Sequence, residues 1–205
     1  MALQPSLRPL LIAGTYDAPH TLDIFSDYVC PFSAKLSKAI NEVVKPSLDQ
    51  GGQYHGKVKA ILRLQVQPWH ATSTYTHEAA LAVARVSPEH FWPFSLALFQ
   101  QQEDYFDQQA SNLTPNQIRE KLATLAASVI PADRVPAFKQ QIAVKGPGNS
   151  GTAVTDDLKY TVKFSRQNGV HVSPSVLWDG IIDNSISSSW GKEQWTKFFS
   201  EKVVV

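Results

Sequence analysis

Residues 21–36 read TLDIFSDYVCPFSAKL, and the fold turns on how that stretch divides. Thr21 to Ser26 mixes β-branched and aromatic side chains in rough alternation, the pattern of a strand. Leu36, Ile40, Val43 and Val44 then recur at helical spacing, and Pro46 is expected to close that helix. At the junction stands Cys30, the only cysteine of the chain, with Pro31 directly after it. The unpaired N–H groups and positive dipole end of a helix stabilise an anion, so a thiol placed there forms a thiolate more readily. Pro31 suits the first turn because its missing N–H has no intrahelical partner to lose.

The 205 residues suffice for one large domain or for a domain with an inserted subdomain. Hydrophobic residues make up 43% and charged residues 18%, ordinary values for a soluble globular protein. Formal net charge is +1 with no basic run, which argues against electrostatic binding of nucleic acid. No apolar stretch is long enough to span a membrane. The opening MALQPSLRPLLIAG has too short an apolar core for a signal-peptide h-region, and Leu10 to Ala13 is read as a short leading strand. A single cysteine excludes an internal disulfide, which fits a reducing compartment, and the cytoplasm is the expected location.

Outward from the first motif, KVKAILRLQVQPW alternates strongly, with Val58, Ala60, Leu62, Leu64 and Val66 on one face. Its polar alternate face predicts a strand half buried or covered by long side chains. The stretch from about 72 to 144 turns helical. THEAALAVARV forms one helix, and Ser87-Pro88 opens the next, carrying Phe91, Phe94, Leu98 and Phe99. Thr114 and Gln117 are spaced for a capping box ahead of Ile118, Leu122 and Leu125, and Pro131 starts a shorter helix. KGPGNSG, residues 145–151, lacks the Lys-Ser/Thr ending of a phosphate-binding loop and reads as a plain connection. A further helix with a Val154, Leu158, Val162 stripe stops at Asn168-Gly169. Asp179-Gly180 marks a hairpin, and a last helix carries Trp195, Phe198 and Phe199. The predicted architecture is α/β: a βαβ unit and a ββα unit forming one mixed sheet flanked by helices, as a single domain over 1–205.

Several side chains surround the thiol in this reading. Phe32 projects apolar surface beside the sulfur, and Ser33, one turn on, is placed to donate a hydroxyl hydrogen bond to a thiolate. Asp27 can accept a proton, oppose the thiolate by repulsion, or serve as a turn or cap residue. His70 and His77 are seven residues apart and share a helix face only if the helix begins before His70, so solvent-facing or capping roles are expected for both. No third residue completes a zinc set. His171 can approach Cys30 from the loop before Pro174 or lie exposed in it.

DIFSDYVCPFSAKL resembles the active-site segment of the thioredoxin superfamily, in particular its DsbA-like branch: a strand, Phe-x-Asp, then Cys-Pro-aromatic-Cys opening a helix. NGVHVSPSVLWDG resembles the family's Gly-Val-x-x-Thr-Pro segment, whose proline is cis and faces the cysteine. The helical stretch between the two motifs matches that branch, so the likeness covers nearly the whole chain. It implies a thioredoxin-like fold with a helical insertion at about 72–144. It further implies that Cys30 is the nucleophile and Ser33 its hydrogen-bond donor. Pro31, Phe32 and the Ser173-Pro174 backbone would then contact substrate, with Asp27, His171 and His70 as accessory residues.

Ser33 departs from the family, because a dithiol enzyme needs a second thiol to resolve a mixed disulfide. A monothiol cycle is expected instead: thiol–disulfide oxidoreduction in which an external thiol such as glutathione releases the product, with no tightly bound cofactor and no metal. CPFS also resembles a hybrid with the Ser-Pro-Tyr of kappa-type glutathione transferases and 2-hydroxychromene-2-carboxylate isomerases, which is the alternative function. A non-catalytic interaction module on the same fold is the third. The expected partners are glutathione or another thiol or disulfide, not nucleic acid or membrane.

Overall fold

The computed structural model describes residues 3–204. One sheet holds β1 (Leu11–Ala13), β2 (His20–Ser26), β3 (Val58–Leu64), β4 (Ser175–Trp178) and β5 (Ile181–Ile182), in the spatial order β1-β3-β2-β4-β5. β2 and β3 are parallel, with His20 opposite Val58 and Ser26 opposite Leu64. The other neighbours are antiparallel. β1 is reached through a 3-10 turn, Pro5–Leu10, and ends at Gly14, whose φ of 77° turns the chain where a Cβ would strike the Val58 carbonyl.

The β2-to-β3 crossover begins with α1 (Pro31–Ala39). Pro46 does not end the helical path as its sequence position predicts. A π turn, Ile40–Val44, leads into α2 (Lys45–Leu48), and the Lys45 N–H bonds the Ile40 carbonyl five residues back. That widened register removes the demand for the N–H that proline lacks, so the chain stays helical past it.

β3 is buried on both faces rather than one. Its polar alternate position, Arg63, donates from Nε to Asp23 Oδ1 of β2 at 2.7 Å, and both side chains are inaccessible. The Phe164 ring covers the guanidinium at 4.5 Å. Phe164 lies on α8 (Thr155–Gln167), which explains why the strand reads as amphipathic yet is central. The predicted Val154–Leu158–Val162 stripe holds in part: Val154, the N-cap of α8, is fully buried and Leu158 packs against the core, while Val162 is half-buried. Within α8 the most buried positions are Asp157, Thr161 and Ser165; the Thr161 and Ser165 hydroxyls bond carbonyls of their own helix, and Asp157 reaches other segments. Asp157 accepts from Arg85 at 2.7 Å and from the Ser6 hydroxyl at 2.7 Å.

Between β3 and α8 come α3 (Ser73–Val86), α4 (Phe91–Gln100), α5 (Asp107–Ala110), α6 (Pro115–Ala127) and α7 (Val135–Ile142). The capping box forms as spaced: Gln117 N–H donates to Thr114 Oγ1 at 3.3 Å, and Thr114 N–H donates to Gln117 Oε1 at 2.8 Å. Asp179 (φ 49°) and Gly180 (φ 87°) make the hairpin between β4 and β5. α9 (Lys192–Lys202) closes the chain against the sheet, with Phe199 packed at 6.1 Å from Trp178. The main core runs continuously from the sheet into α3, α4 and α6, so the helical stretch shares one interior with the sheet.

Candidate active site

Parallel strands β2 and β3 deliver their C-terminal ends to the same edge of the sheet, and antiparallel β4 brings its N-terminal end there. Cys30, Gln65–His70 and Ser173-Pro174 are therefore neighbours in space. Cys30 is the N-cap of α1, in extended conformation and only 5% exposed. Its thiol donates to the Ser173 carbonyl, with Sγ 3.3 Å from the oxygen. The Ser173–Pro174 peptide bond is cis. Ser173 makes no backbone–backbone hydrogen bond among the described residues, so an extended segment with an uncommitted amide lies beside the sulfur. Pro31 and Phe32 are exposed next to it, Phe32 by 65%.

Ser33 sits differently from the expectation. It is fully buried, and its Oγ accepts the Asp27 N–H at 3.2 Å; no hydrogen bond joins it to Cys30 among the described residues. Helical side chains lean toward the N-terminus, which turns Ser33 back over the 27–29 loop rather than outward to the sulfur.

Asp27 is an inaccessible carboxylate on which four donors converge. Oδ1 accepts from Val29 N–H at 3.0 Å and from the Ser73 hydroxyl at 3.0 Å. Oδ2 pairs with His70 Nδ1 at 2.8 Å and accepts from Gln67 N–H at 3.2 Å. One carboxylate thus ties the loop before Cys30 to the loop after β3 and to the start of α3. His70 is thus part exposed but held on Asp27, and His77 is fully buried, with Nδ1 2.7 Å from the Ser73 carbonyl. The helix begins at Ser73, so the two histidines come together around Ser73 and Asp27 and not along a shared helix face. His171 is exposed and makes no hydrogen bond to Cys30; it lines a groove of about 350 Å³ with Gln67, Trp69, Arg166 and Val170.

The helical stretch supplies two supports that sequence reasoning missed. Gln102 Nε2 donates to the carbonyls of Tyr28 at 2.9 Å and Cys30 at 3.3 Å, fixing the backbone around the thiol. The Tyr28 hydroxyl pairs with Ser95 Oγ at 2.8 Å, and burial pushes its phenol well above the ordinary tyrosine range, so it stays neutral. No local pattern marks Gln102, which lies 72 residues from Cys30. Ser73 and Gln67 likewise carry no signal until the strand register sets them beside Asp27.

A thiol at a helix start, facing a cis-proline across the end of a mixed sheet with a helical insertion, defines a thioredoxin-like fold. The family model described as Thioredoxin (Thioredoxin_4) matches residues 8–198, and the chain belongs to that family. Among solved structures, it is similar to a protein from Pseudomonas syringae provisionally described as a protein-disulfide isomerase. That pair shares 24% identity at a TM-score of 0.73, over 94% of this chain and 98% of the other. Oxidised BdbD from Bacillus subtilis shares 18% identity at a TM-score of 0.64, over 98% and 96% of the two chains. The thiol-disulfide oxidoreductase MdbA from Actinomyces oris shares 18% identity at a TM-score of 0.62, over 92% and 83%. A comparison with curated protein sequences finds no match.

Proposed function

We infer that the chain carries out thiol–disulfide exchange through Cys30 alone, with glutathione as the external thiol that completes the cycle. The observation that supports this reading is the single thiol at the α1 N-cap, 3.3 Å from the carbonyl that precedes Pro174. The Cys30 thiolate attacks one sulfur of a substrate disulfide; a Cys30–substrate disulfide forms and the other substrate sulfur leaves as a thiolate. A glutathione thiolate then attacks the substrate sulfur of that mixed disulfide, releasing Cys30 as thiolate and the substrate as its glutathione disulfide. Electrons balance across the two exchanges without a cofactor.

Roles follow from position. The Ser173 backbone docks the extended substrate segment, while Pro31 and Phe32 offer apolar contact. Ser33 accepts the Asp27 N–H and so helps to fix the loop that leads to Cys30. Asp27, His70 and Gln102 act as positioning residues. A reducing compartment such as the cytoplasm supplies the thiol.

The test is the rate of Cys30 alkylation by iodoacetamide near pH 7 against that of free cysteine, with intact mass after incubation in oxidised glutathione. Faster alkylation and a single glutathione adduct, absent in Cys30→Ser, are expected. A rate no higher than the free thiol removes the nucleophile role. Conjugation of electrophiles to glutathione without disulfide turnover would select the transferase alternative.

A further inference from the structure

The groove lined by His171 runs beside the thiol. His171 stands two residues before Ser173, whose carbonyl holds the Cys30 thiol, and two residues of extended chain span at most about 7 Å. The loop after β3 forms one wall through Val66, Pro68 and Trp69. α8 forms the other through Val162 and Arg166, the latter in its last turn.

Two independent features mark this groove as a place where substrate lies. The first is apolar surface left to solvent. Trp69 is 59% exposed, Phe32 65% and Val172 55%. They come from three separate segments that meet around the thiol: Phe32 follows it in α1, Val172 precedes Ser173, and Trp69 precedes the His70 held on Asp27. Large apolar side chains exposed together mark a binding surface. The second feature is charge. Arg166 and His171 are exposed, and neither side chain has a hydrogen bond or an ion pair among the described residues. No aspartate or glutamate is among the described residues that line the groove. A free guanidinium and an exposed indole lining one apolar cleft suit a ligand with a flat apolar body and a carboxylate, because arginine pairs planar anions in a fork.

We propose that the groove sets the substrate class of the exchange: small disulfides with a flat, apolar, carboxylate-bearing half, for which Arg166 is the specificity-determining residue. This inference rests on the nucleophile role of Cys30 given above. The half that lies in the groove is the one that bonds to Cys30. The Cys30 thiolate attacks its sulfur, the substrate S–S bond breaks, and the other half leaves with the electron pair as a thiolate. The carboxylate pairs with Arg166 while the flat body rests on Trp69. A volume of about 350 Å³ is at the lower end of small-molecule pockets, which suits one such half.

The experiment measures how fast Cys30 of the full chain reacts, near neutral pH, with two aromatic disulfides. Dithiobis(nitrobenzoate) carries a carboxylate on each half, and dithiodipyridine is uncharged. Each rate is divided by that of mercaptoethanol with the same probe, which removes the probes' intrinsic reactivity. A preference of about fivefold for the carboxylate probe is expected, the upper range for one exposed ion pair, and it should shrink as salt is raised. Arg166→Ala should abolish the preference, Arg166→Lys should keep part of it, and Arg166→Glu should invert it. Trp69→Ala should slow both probes. Lys163→Ala removes an exposed charge of the same helix that does not line the groove, and should leave the preference intact. A cation in the last turn of a helix also suits the helix dipole, so the ratio of rates, and not stability, reports this role. Rapid reaction without charge preference overturns the inference alone. So does a preference that survives Arg166→Ala, one lost equally in Lys163→Ala, or a Trp69→Ala variant as fast as the parent. Reaction with both probes no faster than that of mercaptoethanol removes the nucleophile role and this inference with it.

Discussion

Asp27→Ala removes the acceptor that joins three segments around the thiol, and the structure allows its cost to be worked out. Val29, Gln67 and Ser73, which supply three of the four donors, are 3%, 1% and 0% exposed, so their donors cannot turn to bulk water. The fourth, His70, is part exposed and rehydrates. A buried donor left without an acceptor costs about 1–3 kcal/mol, and water entering the space left by the carboxylate offsets part of the sum. The expected loss is about 3–5 kcal/mol, the cost of the three unmade bonds less what entering water restores. That is a large share of the roughly 5–15 kcal/mol that separates folded from unfolded domains. Asp27→Asn keeps an oxygen for Val29 and Ser73 but turns an amide toward Gln67 N–H, so it should lose about 1–3 kcal/mol. Urea unfolding at pH 7, followed by tryptophan fluorescence, measures both. A loss below about 1 kcal/mol for Asp27→Ala refutes the argument that this carboxylate holds the site together.

Three further outcomes are expected. Gln102→Ala deletes the donor to the Tyr28 and Cys30 carbonyls and should cost about 1–2 kcal/mol in the same urea assay; unchanged stability would show that those bonds contribute nothing net. Burial holds the Glu78 carboxyl above its ordinary 4.5, opposed by the Thr152 hydroxyl and by Arg119. A raised carboxyl favours the folded state while protonated, so its contribution is complete below pH 4.5 and is lost as pH rises through the folded value. Glu78→Gln, permanently neutral, should therefore gain stability over the parent at pH 7 relative to pH 4, and an equal difference at the two pH values counts against this account. Thr114→Ala breaks the capping box of α6 and should lower stability by about 1 kcal/mol, read from the thermal midpoint; no shift would mean the cap is replaced by solvent.

The main strands, the cap at Thr114 and the Asp179-Gly180 turn could be read along the chain, because each rests on periodicity or on a residue with a narrow backbone preference, and the motifs around Cys30 and Pro174 were legible through their resemblance to the thioredoxin superfamily. The failures share a different origin. Pro46 was expected to stop a helix, but a π turn absorbs it, and no local signal announces a π turn. Hydrophobicity finds Val154 and Leu158 of the α8 stripe at the core but misses the buried polar positions Asp157, Thr161 and Ser165, of which Asp157 is held by Arg85 and Ser6. His77, expected to face solvent or to cap, is buried because Ser73 and Tyr28 enclose it.

That a proline segment far downstream belongs to the site of the thiol is what the resemblance to the thioredoxin superfamily implies; sequence alone determined that one thiol stands at a strand–helix junction and that no second thiol can resolve it. These follow from residue identity and local preference, which act over a few positions. Tertiary structure alone decided what surrounds that thiol. The β2–β4 pairing, with Phe25 opposite Ser175, brings the Ser173 carbonyl to the sulfur. The β2–β3 register sets Gln67 and His70 on Asp27, and the helical stretch reaches back with Gln102. Ser33, expected to bond the sulfur, instead holds the Asp27 amide. Hydrogen-bond partners are set by three-dimensional approach across strands and helices distant in sequence, and that information is absent from any short window of the chain.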